Sequence, residues 1–292
     1  MRSINFTALL LAAALTAPAS APAQNAKCDR ACLTDVITRY LDSLVAHDPK
    51  KAPLTAGARF TEDGQELAIG EGLWKTASKV RPNRRDYLDE RENTAAVHAV
   101  VEENGSPVLF AARLKVGNRK IIEIETMVVR NVQEGVLFAP DELSKPSPML
   151  DLPPESALMP RDQMIEMALR YPGGLRVGSF ETSNAVFGTD AYRFENGVRM
   201  AGKGCTFRPP SCENLRSQQL PTLAAIKADV VAVDERSGAV LLYMNFGPGS
   251  LPGPQSAGKA LVTFEAFKIY GGEIHAVEAV LEGAPEGAPR GW

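Results

Sequence analysis

The stretch Leu114-Lys115-Val116-Gly117-Asn118-Arg119-Lys120-Ile121-Ile122-Glu123-Ile124-Glu125-Thr126-Met127-Val128 recurs, without a gap, as Phe267-Lys268-Ile269-Tyr270-Gly271-Gly272-Glu273-Ile274-His275-Ala276-Val277-Glu278-Ala279-Val280-Leu281. Each copy reads as a strand, a tight turn and a second strand. At a constant offset of 153 residues Lys115 falls on Lys268 and Glu125 on Glu278, and Ile121, Ile124, Met127 and Val128 fall on Ile274, Val277, Val280 and Leu281. The pattern reads as a diverged repeat, the alternative being a chance likeness between two amphipathic hairpins. Nearer the front of each half the offset is 127, placing Asp35 on Asp162, Phe60 on Phe187 and Asp63 on Asp190. The difference is about the size of a Cys- and Pro-containing insertion in the second half.

Working outward, Leu33, Val36, Ile37, Tyr40, Leu41, Leu44 and Val45 recur at three-four spacing and predict an amphipathic helix over 31–45, ended at Asp48-Pro49. Residues 58–69 predict two short strands around Asp63-Gly64, and Gly70-Glu71-Gly72-Leu73-Trp74 a loop entering a short helical piece. Strands are expected over 94–102, 107–116 and 120–130, the first two joined by Asn104-Gly105, a strong hairpin signal. Six prolines in 140–160 predict a linker without regular structure. The second half opens with a helix through Met164, Met167, Ala168 and Tyr171, expected to break at Pro172-Gly173-Gly174. Short strands follow around Val186 and Tyr192, then strands over 228–234, 239–246, 260–269 and 273–282.

On strand 121–129, Ile122, Ile124 and Val128 should point one way and Ile121, Met127 and Val129 the other. Both faces are apolar, so both should be covered: one by a helix and pocket, the other by the partner domain. The expectation is a dimer made in one piece, a monomeric intramolecular pseudo-dimer. Its domains would run over 24–139 and 161–283, with a linker at 140–160 and a tail at 284–292.

The 292 residues carry 45 % apolar and 23 % charged side chains, which excludes a disordered chain. Net charge is −3, with no long basic run, which argues against a nucleic-acid partner. Residues 1–23 read as a signal peptide: Arg2, an apolar core from Ala8 to Leu15, and the small-x-small site Ala21-Pro22-Ala23. No segment is long and apolar enough to span a bilayer. The expected address is therefore periplasmic or secreted. Export together with an even cysteine count predicts disulfides among Cys28, Cys32, Cys205 and Cys212. Three connectivities are open. Local pairing is favoured, more firmly for Cys205–Cys212, where Pro209-Pro210 can turn the chain. Cys28 and Cys32 are awkward partners inside a regular helix and pair more easily if the first helical turn is irregular.

One helix, a hairpin and a curved antiparallel meander ending in a K-I-x-E-x-E strand resemble the SnoaL-like superfamily, which includes ketosteroid isomerase, scytalone dehydratase and nuclear transport factor two. The residues carrying the resemblance are His47-Asp48-Pro49 through Phe60-Thr61-Glu62-Asp63-Gly64, and the closing strands 114–129 and 267–281. Asp48-Pro49, Phe60-Thr61-Glu62 and Gly70-Glu71-Gly72-Leu73-Trp74 also resemble a secreted bacterial and fungal group. The resemblance implies an α+β chain of two tandem cone-shaped domains, each a curved antiparallel sheet wrapped on an N-terminal helix. It also implies a cofactor-independent lyase or isomerase, moving a proton in a small apolar or sugar-like substrate. A non-catalytic periplasmic ligand-binding or assembly protein is the alternative. The general-base aspartate of ketosteroid isomerase has no counterpart that can be placed here.

Nucleotide-binding glycine loops, nucleophile elbows and zinc-protease motifs are absent, and His47, His98 and His275 are not spaced as metal ligands. No metal or cofactor is expected. His98 alternates with Ala96 and Val100 and is the candidate proton-transfer group, with Glu125 or Tyr40 as its orienting partner. A hydrogen-bonded core histidine is the alternative. Glu278 should share a face with Ile274, Ala276 and Val280, so its carboxylate must be paired or raised in pKa. For Glu125 and Glu278 the alternative is an ion pair with Arg113, Lys115 or Lys268. Trp74, Arg113 and Glu278 are candidate ligand-binding residues; for Trp74, as for Tyr40, core packing is the alternative.

Overall fold

A computed structural model describes residues 27–207, 211–218, 220–251 and 258–286. The signal-like leader, Pro209-Pro210 and the end of the tail lie outside the described residues. Asp29 caps α1 (Arg30–Val45) by accepting from the Cys32 backbone amide, and the stripe from Leu33 to Leu44 is buried. Cys28 precedes the cap and bonds Cys32 across this first turn, with Cα atoms 5.2 Å apart. Cys205 bonds Cys212 at 5.9 Å, so both local pairings hold.

Seven strands follow α1: β1 (Leu54–Glu62), β2 (Gln65–Leu67), β3 (Ala77–Val80), β4 (Arg85–Asp89), β5 (Thr94–Glu103), β6 (Ser106–Gly117) and β7 (Lys120–Val129). They form one sheet in the order β2-β1-β7-β6-β5-β3, with β4 also on β5. Only β1–β7 is a parallel pairing. Sequence reading misses β3 and β4, which are four and five residues long and too short to show alternation.

Segment 140–160 is not free of regular structure. After α2 (Val132–Gly135) comes α3 (Pro140–Leu143), with single 3-10 turns at Pro148–Leu150 and Glu155–Ala157. Proline at the first position of α3 and of the 148–150 turn starts them, because its fixed φ suits a helical start. Leu143 and Met149 are buried.

The second half repeats the plan with α4 (Arg161–Val177), β8 (Phe187–Glu195), β9 (Val198–Ala201), β10 (Lys227–Asp234), β11 (Ala239–Pro248), β12 (Lys259–Tyr270) and β13 (Glu273–Pro285), in the order β10-β11-β12-β13-β8-β9. Helix α4 does not break at Pro172. It runs on to Gly178, whose left-handed φ of 75° ends it. The run onward is held by packing: Pro172 and Gly174 are buried, and a Cβ on Gly174 would strike the Phe180 ring. The two short strands expected around Val186 and Tyr192 are a single strand, β8.

Helix α1 covers the outer face of the first sheet and α4 that of the second. The inner faces meet in a third cluster, where Tyr87, Ala96, Leu109 and Met127 pack with Val231, Leu241, Phe264 and Val280. The contact is reciprocal. The Arg30 guanidinium forks onto Asp234 at 2.7 and 3.0 Å, and the Leu88 amide donates to the same carboxylate at 3.2 Å. Arg161 forks onto Asp89 at 3.0 and 2.7 Å, and the Val233 amide donates to it at 2.8 Å. Each arginine opens the N-terminal helix of its half, and each aspartate ends a strand of the other half.

Strand register corrects the alignment of the halves. Ile124 lies between Phe60 and Leu114, as Val277 lies between Arg193 and Phe267. Phe60 therefore corresponds to Arg193, not Phe187, and the turn Asp63-Gly64 to Asn196-Gly197, not to Asp190. The closing hairpins keep their offset of 153. Register shifts also change two facings, because an extra residue reverses the pleat. The shift between Lys115 and Val116 puts Ile121 in the helix-side cluster, and the shift between Lys268 and Ile269 puts Ile274 there, away from Ala276 and Val280.

Candidate functional site

Between α4 and the outer face of the second sheet lies a cavity of about 670 Å³. Its walls are mostly apolar, including Leu175, Met200, Leu223, Phe246 and Leu261, with Phe207 half-exposed at the rim. Its ionisable lining groups come from three elements: Tyr171 from α4, Arg193 and Glu195 from β8, and Glu265 from β12. The sheet sets their spacing. Ala279 of β13 pairs with Glu195 on one side and Glu265 on the other, while Arg193 pairs with Val277, two residues earlier. A largely apolar pocket with a few convergent polar groups is the usual form of a small-molecule site.

The Arg193 guanidinium donates to the Tyr171 hydroxyl at 3.1 Å, and its Nε lies 3.0 Å from Glu195. Glu265 is 2 % exposed. Burial, reinforced by the nearby Glu195 charge, pushes its pKa up to about 8, against the opposing pull of Arg193 and a hydrogen bond from Tyr171. Burial alone would weaken the Arg193 charge, but Tyr171, Glu195 and Glu265 outweigh it and hold the guanidinium firmly protonated. At neutral pH the site thus pairs a fixed cation with a carboxyl group that can either give or take a proton.

One wall comes from the segment between the domains. Val136 and Leu137 line the cavity from a tight turn in which the Leu137 amide donates to the Gly135 carbonyl at 2.6 Å and Val136 holds a φ of 64°. Positive φ is strained for a β-branched residue. The turn is held by buried Asn196, whose amide donates to the carbonyls of Gly135, Leu137 and Leu281.

The corresponding region of the first domain is filled. Tyr40, Phe60, Glu62 and Ala112 stand where the second domain has Tyr171, Arg193, Glu195 and Glu265, and the Trp74 indole packs edge-to-face on Tyr40 and Phe60 at 5.3 and 5.5 Å. Glu62 accepts from the Leu73 amide and from Arg130.

The residues singled out from sequence are divided by the first sheet. Tyr40 and Trp74 lie in the helix-side core, each essentially unexposed. His98, Arg113 and Glu125 lie on the opposite face, toward the second domain, as the strand pairings with Ala111 and Arg113 require. Tyr40 therefore cannot orient His98. His98 lies 3.3 Å from the Tyr87 hydroxyl, and burial, with the Arg85 charge, lowers its pKa to about 3. Glu125 is 3.7 Å from Arg113, the expected kind of ion pair. Glu278 pairs not with Lys268 but with Arg85 across the domain contact at 2.8 Å, and also accepts from Ser147 and Tyr192. It borders a smaller cleft of about 360 Å³ between the domains. His275 stacks on Tyr270 with ring centroids 3.6 Å apart.

Sequence reading passed over Arg193, Glu195 and Glu265. A signal was present: Glu265 sits alone among apolar neighbours in Ala260-Leu261-Val262-Thr263-Phe264-Glu265-Ala266-Phe267, as Arg193 does between Tyr192 and Phe194. Among the described residues no cluster of His, Cys, Asp and Glu could hold a metal ion, and no helix is long and apolar enough to cross a membrane.

Residues 26–128 and 157–281 match the family described as "Domain of unknown function (DUF8021)". No curated protein matches the chain. Among solved structures, a de novo designed protein with a curved β-sheet is similar at 22 % identity, covering 36 % of this chain and 91 % of that one with a TM-score of 0.31. An NTF2-like protein of unknown function from Cytophaga hutchinsonii is similar at 13 % identity, covering 34 % and 90 % with a TM-score of 0.25.

Proposed function

This chain belongs to the DUF8021 family, which it matches twice, and we propose that it is a secreted, cofactor-independent lyase or isomerase whose acid–base site lies in the second domain. The observation carrying this reading is Glu265, buried beside Arg193 and Tyr171 in a cavity of about 670 Å³. In this reading both halves are cone-shaped SnoaL-like domains, and the chain is a monomeric pseudo-dimer in which the first cone is the structural partner. The reciprocal Arg30–Asp234 and Arg161–Asp89 contacts support that arrangement. The two disulfides support an oxidising, periplasmic or extracellular address.

The chemistry is proton transfer on a small, mainly apolar substrate. Glu265 takes a proton from carbon, or gives one to a leaving hydroxyl. Arg193 faces the negative charge that develops on the substrate oxygen, and Glu195 keeps the guanidinium in place. A carboxyl group with a pKa near the working pH is efficient in both directions.

The test uses 2-tetralone, whose α-protons exchange in D2O and can be followed by NMR. The protein should accelerate exchange, and Glu265→Gln should lower the acceleration by about 10²–10⁴-fold. Placing the chemistry at His98 and Glu125 instead predicts that His98→Ala abolishes exchange while Glu265→Gln leaves it intact. Binding of 2-tetralone without accelerated exchange would favour the non-catalytic ligand-binding reading.

A further inference from the structure

Trp74 marks a place in the fold that the two domains treat oppositely. Tyr40 and Tyr171 each stand ten residues beyond the arginine that opens their helix, on its buried face. By strand register, Val108 corresponds to Leu261, Ala112 to Glu265 and Val128 to Leu281. In the first domain these three positions belong to one closed cluster that contains Trp74. In the second, Leu261, Glu265 and Leu281 line the open cavity.

The segment after each β-hairpin makes the difference. In the first domain it is a 3-10 turn, Gly72–Lys75, which carries Trp74 inward. Gly72 has a φ of 61°, and a Cβ there would run into the Glu62 carboxylate, so the turn is held tightly against the pocket position. In the second domain the chain instead enters the Cys205–Cys212 loop, which leaves Phe207 half-exposed at the rim. One domain thus carries its occupant as a side chain, and the other presents the vacated shape.

We propose that Trp74 is an internal stand-in for the ligand of the second-domain cavity, which takes a flat, bicyclic aromatic group standing edge-to-face against Tyr171. This rests on the reading of that cavity as the functional site and specifies what enters it. The Trp74 ring meets Tyr40 at an interplanar angle of 85°, the geometry favoured by the ring quadrupoles. Where Trp74 meets apolar Phe60, in a cluster that includes Ala112, the ligand meets Arg193 and Glu265. It therefore carries an oxygen substituent on that side. Glu195 already balances the Arg193 charge, so no net positive charge is left to hold a carboxylate there, and the substituent is a hydroxyl or a carbonyl.

Calorimetric titration of the intact protein with 2-naphthol and its saturated counterpart 2-decalol tests the proposal. 2-Naphthol should bind once and about tenfold more tightly, equivalent to about 1.4 kcal/mol. Leu261→Trp or Met200→Trp, each placing a side chain in the cavity, should abolish that binding. Trp74→Gly should add a second binding equivalent in the first domain. Equal or tighter binding of 2-decalol, undiminished binding by both blocked variants, or a folded Trp74→Gly protein with a single equivalent would overturn the proposal. If Trp74→Gly does not fold, the first two comparisons still decide. Preference for 2-naphthol with no exchange of 2-tetralone would uphold the aromatic site while rejecting its catalysis. Exchange without aromatic preference would do the reverse.

Discussion

Glu265 and His98 are both buried, yet their effects on stability run in opposite directions with pH. The ordinary pKa of Glu265, 4.5, is raised to about 8 by burial and the Glu195 charge. Between those values the folded protein holds a proton that the unfolded chain has released, so stability falls as pH rises from about 4.5 to 8. Glu265→Gln should remove that contribution, on the order of a few kcal/mol, from urea unfolding measured at pH 5 and pH 8. His98 is lowered from 6.5 to about 3 by burial and Arg85, so it must unfold to gain its proton. Its contribution is present above pH 6.5 and lost as pH falls towards 3. His98→Gln should flatten that acid-side decline; an unchanged acid limb would show that His98 is not held neutral.

Asn196 shows how one position fastens two elements. It turns the β8–β9 hairpin with a φ of 46°, and its amide joins the Gly135–Leu137 turn to β13, where it accepts from the Leu281 backbone at 2.9 Å. Replacing it with alanine leaves several buried carbonyls and one amide unpaired. Asn196→Ala should therefore cost about 3 kcal/mol or more in denaturant unfolding. Because the same turn carries Val136 and Leu137, it should also weaken 2-naphthol binding, whereas Asn131→Ala, which uncaps α2 at the surface, should cost only about 1 kcal/mol. Helix α4 makes a parallel point. Gly174→Leu should displace Phe180 and destabilise the protein, while Gly173→Ala, whose Cβ would meet only Ser183 at an ordinary 3.6 Å, should not.

The two halves are joined by charge as well as by apolar surface. Asp89 and Asp234 are 1 % and 0 % exposed, and each receives an arginine from the opposite domain. Arg161→Met should destabilise the whole molecule by about 3 kcal/mol, because it strands a buried carboxylate that keeps only backbone donors. A double-mutant cycle with Asp89→Asn checks the coupling. Elsewhere on the contact Asp63 faces Glu282 of the second domain. Burial, with Glu62 and Glu134 nearby, raises the Asp63 pKa to about 7 against the pull of the Val128 amide and Arg130, and Glu282 is raised by burial and by Asp63. The Asp63 proton is released as pH rises past 7, which places a buried negative charge beside Glu282. Asp63→Asn combined with Glu282→Gln should reduce the loss of stability between pH 6 and 8, beyond what Glu265→Gln achieves alone.

Periodicity along the chain already carried the elements and their repetition. The stripe on α1, the Asn104-Gly105 turn and the matching closing hairpins all depend on neighbours a few residues apart. Local spacing expresses such features directly. The local disulfides were legible for the same reason. Facing beyond a bulge was not: one extra residue near Val116 or Ile269 reverses the pleat, and register belongs to the partner strand. Nor was the choice of pocket legible. Tyr40 and Tyr171 look alike on their helices, and His98 looks as suited to catalysis as any buried histidine. Which cavity stays open depends on where Trp74 is carried and where the Cys205–Cys212 loop goes instead. Which carboxylate is isolated among apolar groups depends on pairings such as Glu195–Ala279–Glu265, between residues far apart in the chain. Those are properties of packing, and they exist only once the two sheets and their helices have closed.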